Sequence, residues 1–260
     1  MPPPTLPTTP TLNLTPTPLT REAFSPFGAA ITSPLARDIT NPPPPSTLQT
    51  LTPVPILANQ SSALKYSPIS PMTNTYSSSP SNQPSSALMT MFSCFPRKLR
   101  SLPKEKKNVF DVRILERHPY TTQTFTPIDL SSRSTAGGEE EPVYLVIVAP
   151  SVKGTTVMAR TDAGEEVGVV DPPDLSRLRA FVATGGQAVT YAAGTWHAPM
   201  VVVGSRRVDF VVVQFVNGVD GEDCQEVVFG EGIVVEVEGG SGSGKGGGWQ
   251  SFRGEGLCGV

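Results

Sequence analysis

Histidine is scarce in this chain, with two in 260 residues, His118 and His197. A three-histidine iron site therefore cannot be built. Cysteine is scarce as well. Cys94, Cys224 and Cys258 are odd in number, widely spaced and free of any CxxC pair, which argues against a disulfide framework or a zinc knuckle and suits a reducing compartment. No apolar run approaches the roughly 20 residues a membrane helix needs, so no membrane partner is expected. The opening Met1-Pro-Pro-Pro-Thr5 lacks the basic-then-apolar pattern of a signal peptide. The closing Gly256-Leu-Cys-Gly-Val260 is not a peroxisomal tripeptide. The expected location is the cytoplasm. Positive charge is not in excess, with a net charge of -3 and a pI of about 5.5, and no Lys/Arg stripe is interleaved with aromatics, so nucleic acid is not an expected partner. The basic cluster Lys98, Arg100, Lys104, Lys106 and Lys107 reads as a solvated loop. No dinucleotide-type GxGxxG follows a strand, and neither a GxxxxGK[ST] loop nor a GxSxG elbow occurs.

Proline and glycine are what the chain has in excess, and they are unevenly placed. Of 28 prolines, 20 precede residue 101, and of 24 glycines, 10 follow residue 238. Residues 1–18 are Pro/Thr-rich and are expected to be a disordered tail. Residues 19–238 are expected to form a single domain, with 41–56 and 67–86 as loop insertions, and 239–260 to be a Gly-rich flexible segment. Thr20 is placed to cap a short turn that buries Phe24 and Phe27.

Between these biased stretches the pattern is that of strands. Ala29-Ala-Ile31 could begin one, and Asn59 to Lys65 reads as a polar turn entering another. Leu88 to Phe92 is a strand; Val109 to Leu115 reads as a strand or the start of a short helix. Thr121 to Ile128 is β-branched and aromatic. Tyr144-Leu-Val-Ile-Val148 is apolar throughout, as a strand buried on both faces would be. Gln187 to Tyr191 alternates, and Met200 to Val203, Val208 to Val216 and Ile233 to Val237 are further strands. Leu175, Leu178 and Phe181 share one side of a helix, so one principal helix is expected near 174–182. Many short strands joined by turns, with one helix, indicate an all-β, β-rich sandwich or barrel.

The two histidines lie at the edges of such runs, in Glu116-Arg-His118-Pro119 and Trp196-His197-Ala-Pro199. Glu116 and His118 are two apart and would share one face of a strand; a turn at Pro119-Tyr120 could return Gln123 alongside. With His197 from an opposing strand, two imidazoles, a carboxylate and an amide oxygen would suit a divalent transition metal. Spacing alone leaves a second reading open, in which both are half-buried loop histidines bonded to backbone.

Several segments resemble the ureidoglycolate lyase family. They are Leu19-Thr-Arg-Glu-Ala-Phe-Ser-Pro-Phe-Gly28, Asn59-Gln-Ser-Ser-Ala-Leu-Lys-Tyr66, Glu116-Arg-His-Pro-Tyr-Thr-Thr-Gln-Thr-Phe-Thr-Pro127, Pro173-Asp-Leu-Ser-Arg-Leu-Arg-Ala-Phe181, and Gly186-Gln-Ala-Val-Thr-Tyr191 running on to Trp196-His-Ala-Pro199. Asp209 to Gly218 with Glu222-Asp-Cys-Gln-Glu226 resembles the family's fungal branch. The resemblance implies a cupin-like double-stranded β-barrel, a homodimer, and cleavage of (S)-ureidoglycolate to glyoxylate and urea in allantoin breakdown. It implies that Glu116, His118, Gln123 and His197 form one catalytic site, with Glu116 where the cupin metal motif has its first histidine and Gln123 where it has its carboxylate. A divalent ion such as nickel is implied loosely. Tyr191 and Trp196 are expected to contact substrate. Bacterial relatives carry an arginine that aligns with Ser93, so Lys65 and Arg97 are the candidate cations for the substrate carboxylate. The alternative is a non-catalytic cupin-like paralogue that binds a ligand.

Overall fold

The computed structural model describes residues 3–8, 11–36, 38–105, 107–128, 142–204 and 206–237. The expected Gly-rich segment 239–260 lies outside the described residues. Strands dominate, and the three α-helical turns, Arg21–Phe24, Pro45–Leu48 and Asp220–Asp223, are four residues each. Among the described residues no helix is long and apolar enough to cross a membrane.

Two sheets carry the architecture. The larger has ten strands; its central run pairs Gln225–Phe229, Ile114–Arg117, Trp196–His197, Pro142–Ala149 and Arg179–Thr184 in that order. The second has five, Gly28–Ile31, Ala188–Tyr191, Gln123–Pro127, Val208–Val216 and Ser86–Cys94. They face each other through one core, with Tyr144, Val146, Val148 and Phe181 from the large sheet against Phe125, Val189, Phe210 and Val212 from the small one. Leu145, Ile147 and Ala149 point the other way, into a second core shared with Phe110, Ile233 and Val235. That is why the run from 144 to 149 is apolar without alternation: both of its faces are buried. Val208–Val216 is buried on one face only and alternates. The fold is β-rich and cupin-like.

Three expectations are corrected. The stretch 174–182 is not a helix. Leu175–Arg177 is a single 3-10 turn capped by the Asp174 side chain, and Arg179–Thr184 is a strand paired along Pro142–Ala149. Leu178 and Phe181 share a helical side on paper, but here they enter different cores; the ladder to a neighbouring strand outweighs a weak helical period. The tail 1–18 is not disordered throughout. Thr5–Leu6 lies between two strands of the large sheet, Leu12–Leu14 pairs with Ile233–Val235, and Thr17–Pro18 pairs with Phe181–Val182. Each short strand takes its backbone partners from strands far along the chain, which composition cannot foresee. The insertions are also partly ordered. Leu48 is buried within 41–56, and in 67–86 Tyr76–Ser78 forms a 3-10 turn with Tyr76 buried.

Deleting residues 1–18 is therefore expected to lower the melting temperature by about 5 °C or more. Burial of one leucine such as Leu6 contributes roughly 1.5–3 kcal/mol, and each kcal/mol moves Tm by about 2–4 °C at this size. Thermal unfolding followed by circular dichroism measures it; an unchanged Tm would return the tail to the disordered class.

Candidate functional site

Two rungs of side chains meet where the sheets face each other. On the large sheet Glu226, Glu116 and His197 are direct cross-strand neighbours, and His197 is followed by Val148. On the five-stranded sheet the rung runs Leu88, Gln214, Gln123, Tyr191, Gly28. The two are joined by the Tyr191 ring, stacked on the His197 ring at 3.9 Å and 12°. His118 follows the strand Ile114–Arg117, and its ring lies 5.6 Å from that of His197. The structure thus brings Glu116, His118, Gln123 and His197 together, all buried. Ligand atoms of Glu116, His118 and His197 all lie within 4.8 Å of one another.

The hydrogen bonds set the protons. His118 Nδ1 lies 2.6 Å from the Asp223 carbonyl oxygen and His197 Nδ1 lies 3.0 Å from that of Thr195. A carbonyl only accepts, so both Nδ1 atoms carry hydrogen and the neutral rings turn Nε2 lone pairs inward. His197 Nε2 meets Gln123 Oε1 at 3.2 Å and Glu116 Oε1 at 3.4 Å. Gln123 Oε1 is an acceptor because its Nε2 donates to Gln214 Oε1 at 2.7 Å. His118 Nε2 is buried without a hydrogen-bond partner. Lone pairs of an imidazole, an amide and a carboxylate converge, with a second imidazole nitrogen unsatisfied. Such a set suits a cation or a proton at its centre. Two imidazole nitrogens with carboxylate and amide oxygens fit a divalent transition metal; a proton shared within the cluster would serve the same electrostatic need.

Burial alone would raise the Glu116 carboxyl, but the His197 and His118 imidazoles outweigh it and hold the group below the usual carboxylate range. Burial, and then the adjacent His197 ring, push His118 below the ordinary imidazole value. Cys94 lines the same cavity, but burial pushes its thiol up to about 11, so it is not a thiolate nucleophile at neutral pH.

The cavity in front of this cluster has a volume of about 220 Å³, small beside the ~300–1,000 Å³ of drug-sized sites. Glu116, His118, Gln123 and Gln214 form its polar part, Leu88, Phe92, Phe125, Met200 and Val212 its apolar part, and Arg97 also lines it. Of the two proposed cations, Arg97 is thus at the cavity. Lys65 is exposed on the hairpin of Ile56–Ala58 and Ala63–Lys65 and does not line it. Trp196 is on the opposite face of its strand from His197; it donates from Nε1 to the Asp171 carbonyl at 2.9 Å beneath the Arg117 guanidinium. Tyr191 supports His197 from the side rather than lining the cavity. Ser93 faces away from it, since Leu88, Thr90, Phe92 and Cys94 are the lining positions of that strand. A one-residue shift of register reverses a strand's faces, so an arginine aligned with Ser93 would not point at the cluster. Gln214, like Thr90, is a polar lining residue the sequence reading passed over. Its signal was a glutamine at an inward position of an alternating apolar strand.

The turn that holds His118 is itself tied down. The Asp223 carboxylate accepts from the Tyr76 hydroxyl at 2.6 Å and from the Asn217 and Gly218 amides at 2.8 and 2.7 Å. Glu222 accepts from the Ser81 amide and hydroxyl at 2.7 and 2.6 Å and from Asn217 Nδ2 at 2.7 Å. Partial burial would raise the Glu222 carboxyl, but the bonds from Ser81 and Asn217 hold it down to about 2, against an ordinary 4.5. A depressed pKa stabilises the fold above the unfolded value. The Glu222 contribution is therefore complete above about pH 4.5 and lost as pH falls toward 2. Glu222→Gln is expected to lose stability less steeply than the parent between those limits in urea titrations; parallel curves would contradict the assignment.

The model of the ureidoglycolate lyase family matches residues 11–236. Among curated proteins, the chain is 33% identical over 207 residues to a protein of Schizosaccharomyces pombe named ureidoglycolate lyase, covering 80% of this chain and 86% of that one. It is 31% identical over 228 residues to the protein of that name in Saccharomyces cerevisiae, covering 84% and 95%. A Burkholderia mallei protein with the same name is 32% identical over 209 residues, covering 80% and 85%.

Proposed function

The chain belongs to the ureidoglycolate lyase family, and on that premise we propose that it is a lyase cleaving ureidoglycolate to glyoxylate and urea, with Glu116, His118, Gln123 and His197 as its reaction centre. The observation that carries this reading is the convergence of four inward-facing ligand groups, with His118 Nε2 unsatisfied, at the end of a small cavity. The reaction is of the amidine-lyase type and belongs to allantoin breakdown in the cytoplasm. A homodimer completes the proposal, the apolar edge strand Ser86–Cys94 with exposed Met89 and Met91 being the surface left for a second copy.

Ureidoglycolate carries its hydroxyl and its ureido nitrogen on one carbon. Breaking the C–N bond needs the hydroxyl proton removed and a proton delivered to the departing nitrogen. Both atoms are bonded to the same carbon, so one carboxylate can do both: Glu116 takes the proton from oxygen and returns it to nitrogen. Such a transfer contributes about 100- to 10,000-fold. Glu116, His118, Gln123 and His197 would hold a divalent ion, which supplies Lewis acidity that lowers the hydroxyl pKa. Tyr191 keeps the His197 ring in plane by stacking, and the Asp223 and Thr195 carbonyls keep both Nε2 atoms inward. Arg97 offers charge to the substrate carboxylate. The apolar walls exclude water that would compete for the same protons.

The test is urea release from ureidoglycolate by the purified protein, before and after chelation. Urea and glyoxylate are expected in equal amounts, with activity at least about 100-fold lower after chelation and restored by nickel or another divalent ion. Activity indifferent to chelation would assign the central charge to a proton shared within the cluster. No urea under any condition would leave a ligand-binding paralogue.

A further inference from the structure

Gln214 breaks an otherwise apolar row. The inward positions of Val208–Val216 are Val208, Phe210, Val212 and Gln214. A buried primary amide left without partners costs about 1–3 kcal/mol, so a glutamine is retained at such a position when both ends of its amide are used. Half of its capacity is accounted for, since its Oε1 accepts from Gln123 Nε2 at 2.7 Å. Its Nε2 forms no hydrogen bond to a described residue, its one side-chain bond being that accepted from Gln123, and Gln214 lines the cavity.

The pairing has a direction. Gln123 donates from Nε2 to Gln214, and its Oε1 is turned, beside the His197 Nε2 lone pair at 3.2 Å, toward the place a cation would occupy. It therefore has little left to offer a ureido group. Acceptors gather at the histidine end, and the amide donor that remains is at the far end of the pair, on Gln214. The cavity has two poles, one for a group that binds to lone pairs and charge, the other for a neutral carbonyl.

We propose that Gln214 determines specificity for the ureido end of the substrate, donating from Nε2 to the ureido carbonyl oxygen while the hydroxy-acid end lies against Glu116 and His118. This rests on the lyase reading and deepens it. As the C–N bond breaks, electron density gathers on the departing nitrogen and, by conjugation, on that carbonyl oxygen. A donor fixed there is stronger in the transition state than in the bound substrate.

Two stable probes separate the poles. N-carbamoylglycine has the ureido group and carboxylate but no hydroxyl, so it cannot be cleaved. Glycolate has the hydroxy-acid end alone. Their affinities for the full chain are measured by calorimetry, for the parent, Gln214→Met and Gln214→Glu. The methionine suits the apolar row but cannot donate; the glutamate keeps an oxygen for Gln123 and also cannot donate. Both probes are anions, so the ratio of their affinities cancels most of the effect of an added charge. The parent is expected to favour N-carbamoylglycine, and both variants to lose at least about 10-fold in that ratio, the scale of one hydrogen bond. A parent that binds the two alike, or neither, or variants that keep the parent's ratio, would overturn the assignment. The lyase reading stands or falls separately, on urea release by the parent, and the binding ratio decides the role of Gln214 in either case.

Discussion

Replacing His197 with alanine is expected to reduce urea release by at least about 100-fold, the low end for losing a proton-transfer group or a metal ligand. The same is expected of His118→Ala. The two rings supply the inward Nε2 lone pairs of the cluster, and no third histidine exists to substitute. His197 also packs on Tyr191, so its truncation removes some packing as well as chemistry. His197→Gln separates the two effects by refilling much of the space with a group that lacks the imidazole lone pair. It is expected to melt close to the parent and still to lose most activity. His118→Ala with unchanged turnover would falsify the proposed centre, whatever the melting curves show.

The largest effect on stability is expected from Gly28→Ala. Gly28 has a φ of +150° and is the register partner of Tyr191. A β-carbon there would lie 1.9 Å from the Thr190 carbonyl oxygen and 2.9 Å from the Ala192 amide nitrogen. Both are backbone atoms of the neighbouring strand segment and cannot swing aside as a side chain can. The strand Gly28–Ile31 must move away from Ala188–Tyr191, adding steric strain to an unfavourable φ. Overpacking and backbone strain together are worth about 3 kcal/mol or more, or roughly 6 °C or more in Tm. Since Tyr191 supports His197, activity should fall along with stability even below the transition. Calorimetric scanning with parallel assays checks both. A variant that melts with the parent would show that the two strands are not held at this distance in solution.

Some of the site was legible in the residues themselves. Only two histidines were available, and the segments around them carry a family order specific enough to nominate Glu116, His118, Gln123 and His197 together. Local chemistry also reads directly: Thr20 caps its turn by accepting from the Ala23 amide at 3.2 Å, and the unbroken apolar run from Tyr144 to Val148 foretold a strand buried on both faces; the alternation read at Gln187 to Tyr191 did not foretell its burial, since Ala188–Tyr191 is buried throughout. The faces of adjacent strand residues follow from the same period of two. That rule, strictly applied, already separates Trp196 from His197 and Ser93 from Cys94.

What the sequence by itself determined, then, was what depends on neighbours in the chain: the strands, their alternation, the capped turn, and the residue types able to hold a cation. Only the tertiary structure decided what depends on partners far along it. Leu175, Leu178 and Phe181 satisfy a helical spacing, yet the ladder to Pro142–Ala149 makes 179–184 a strand. The Pro/Thr tail gains strands only because strands far along the chain supply its backbone partners. His118 is oriented by a carbonyl 105 residues away, and Gln123 by Gln214, 91 residues away. Periodicity reports the surroundings that one segment requires, whereas cross-strand register is a choice among many possible partners, settled by joint burial and by satisfaction of backbone and amide groups across the whole chain.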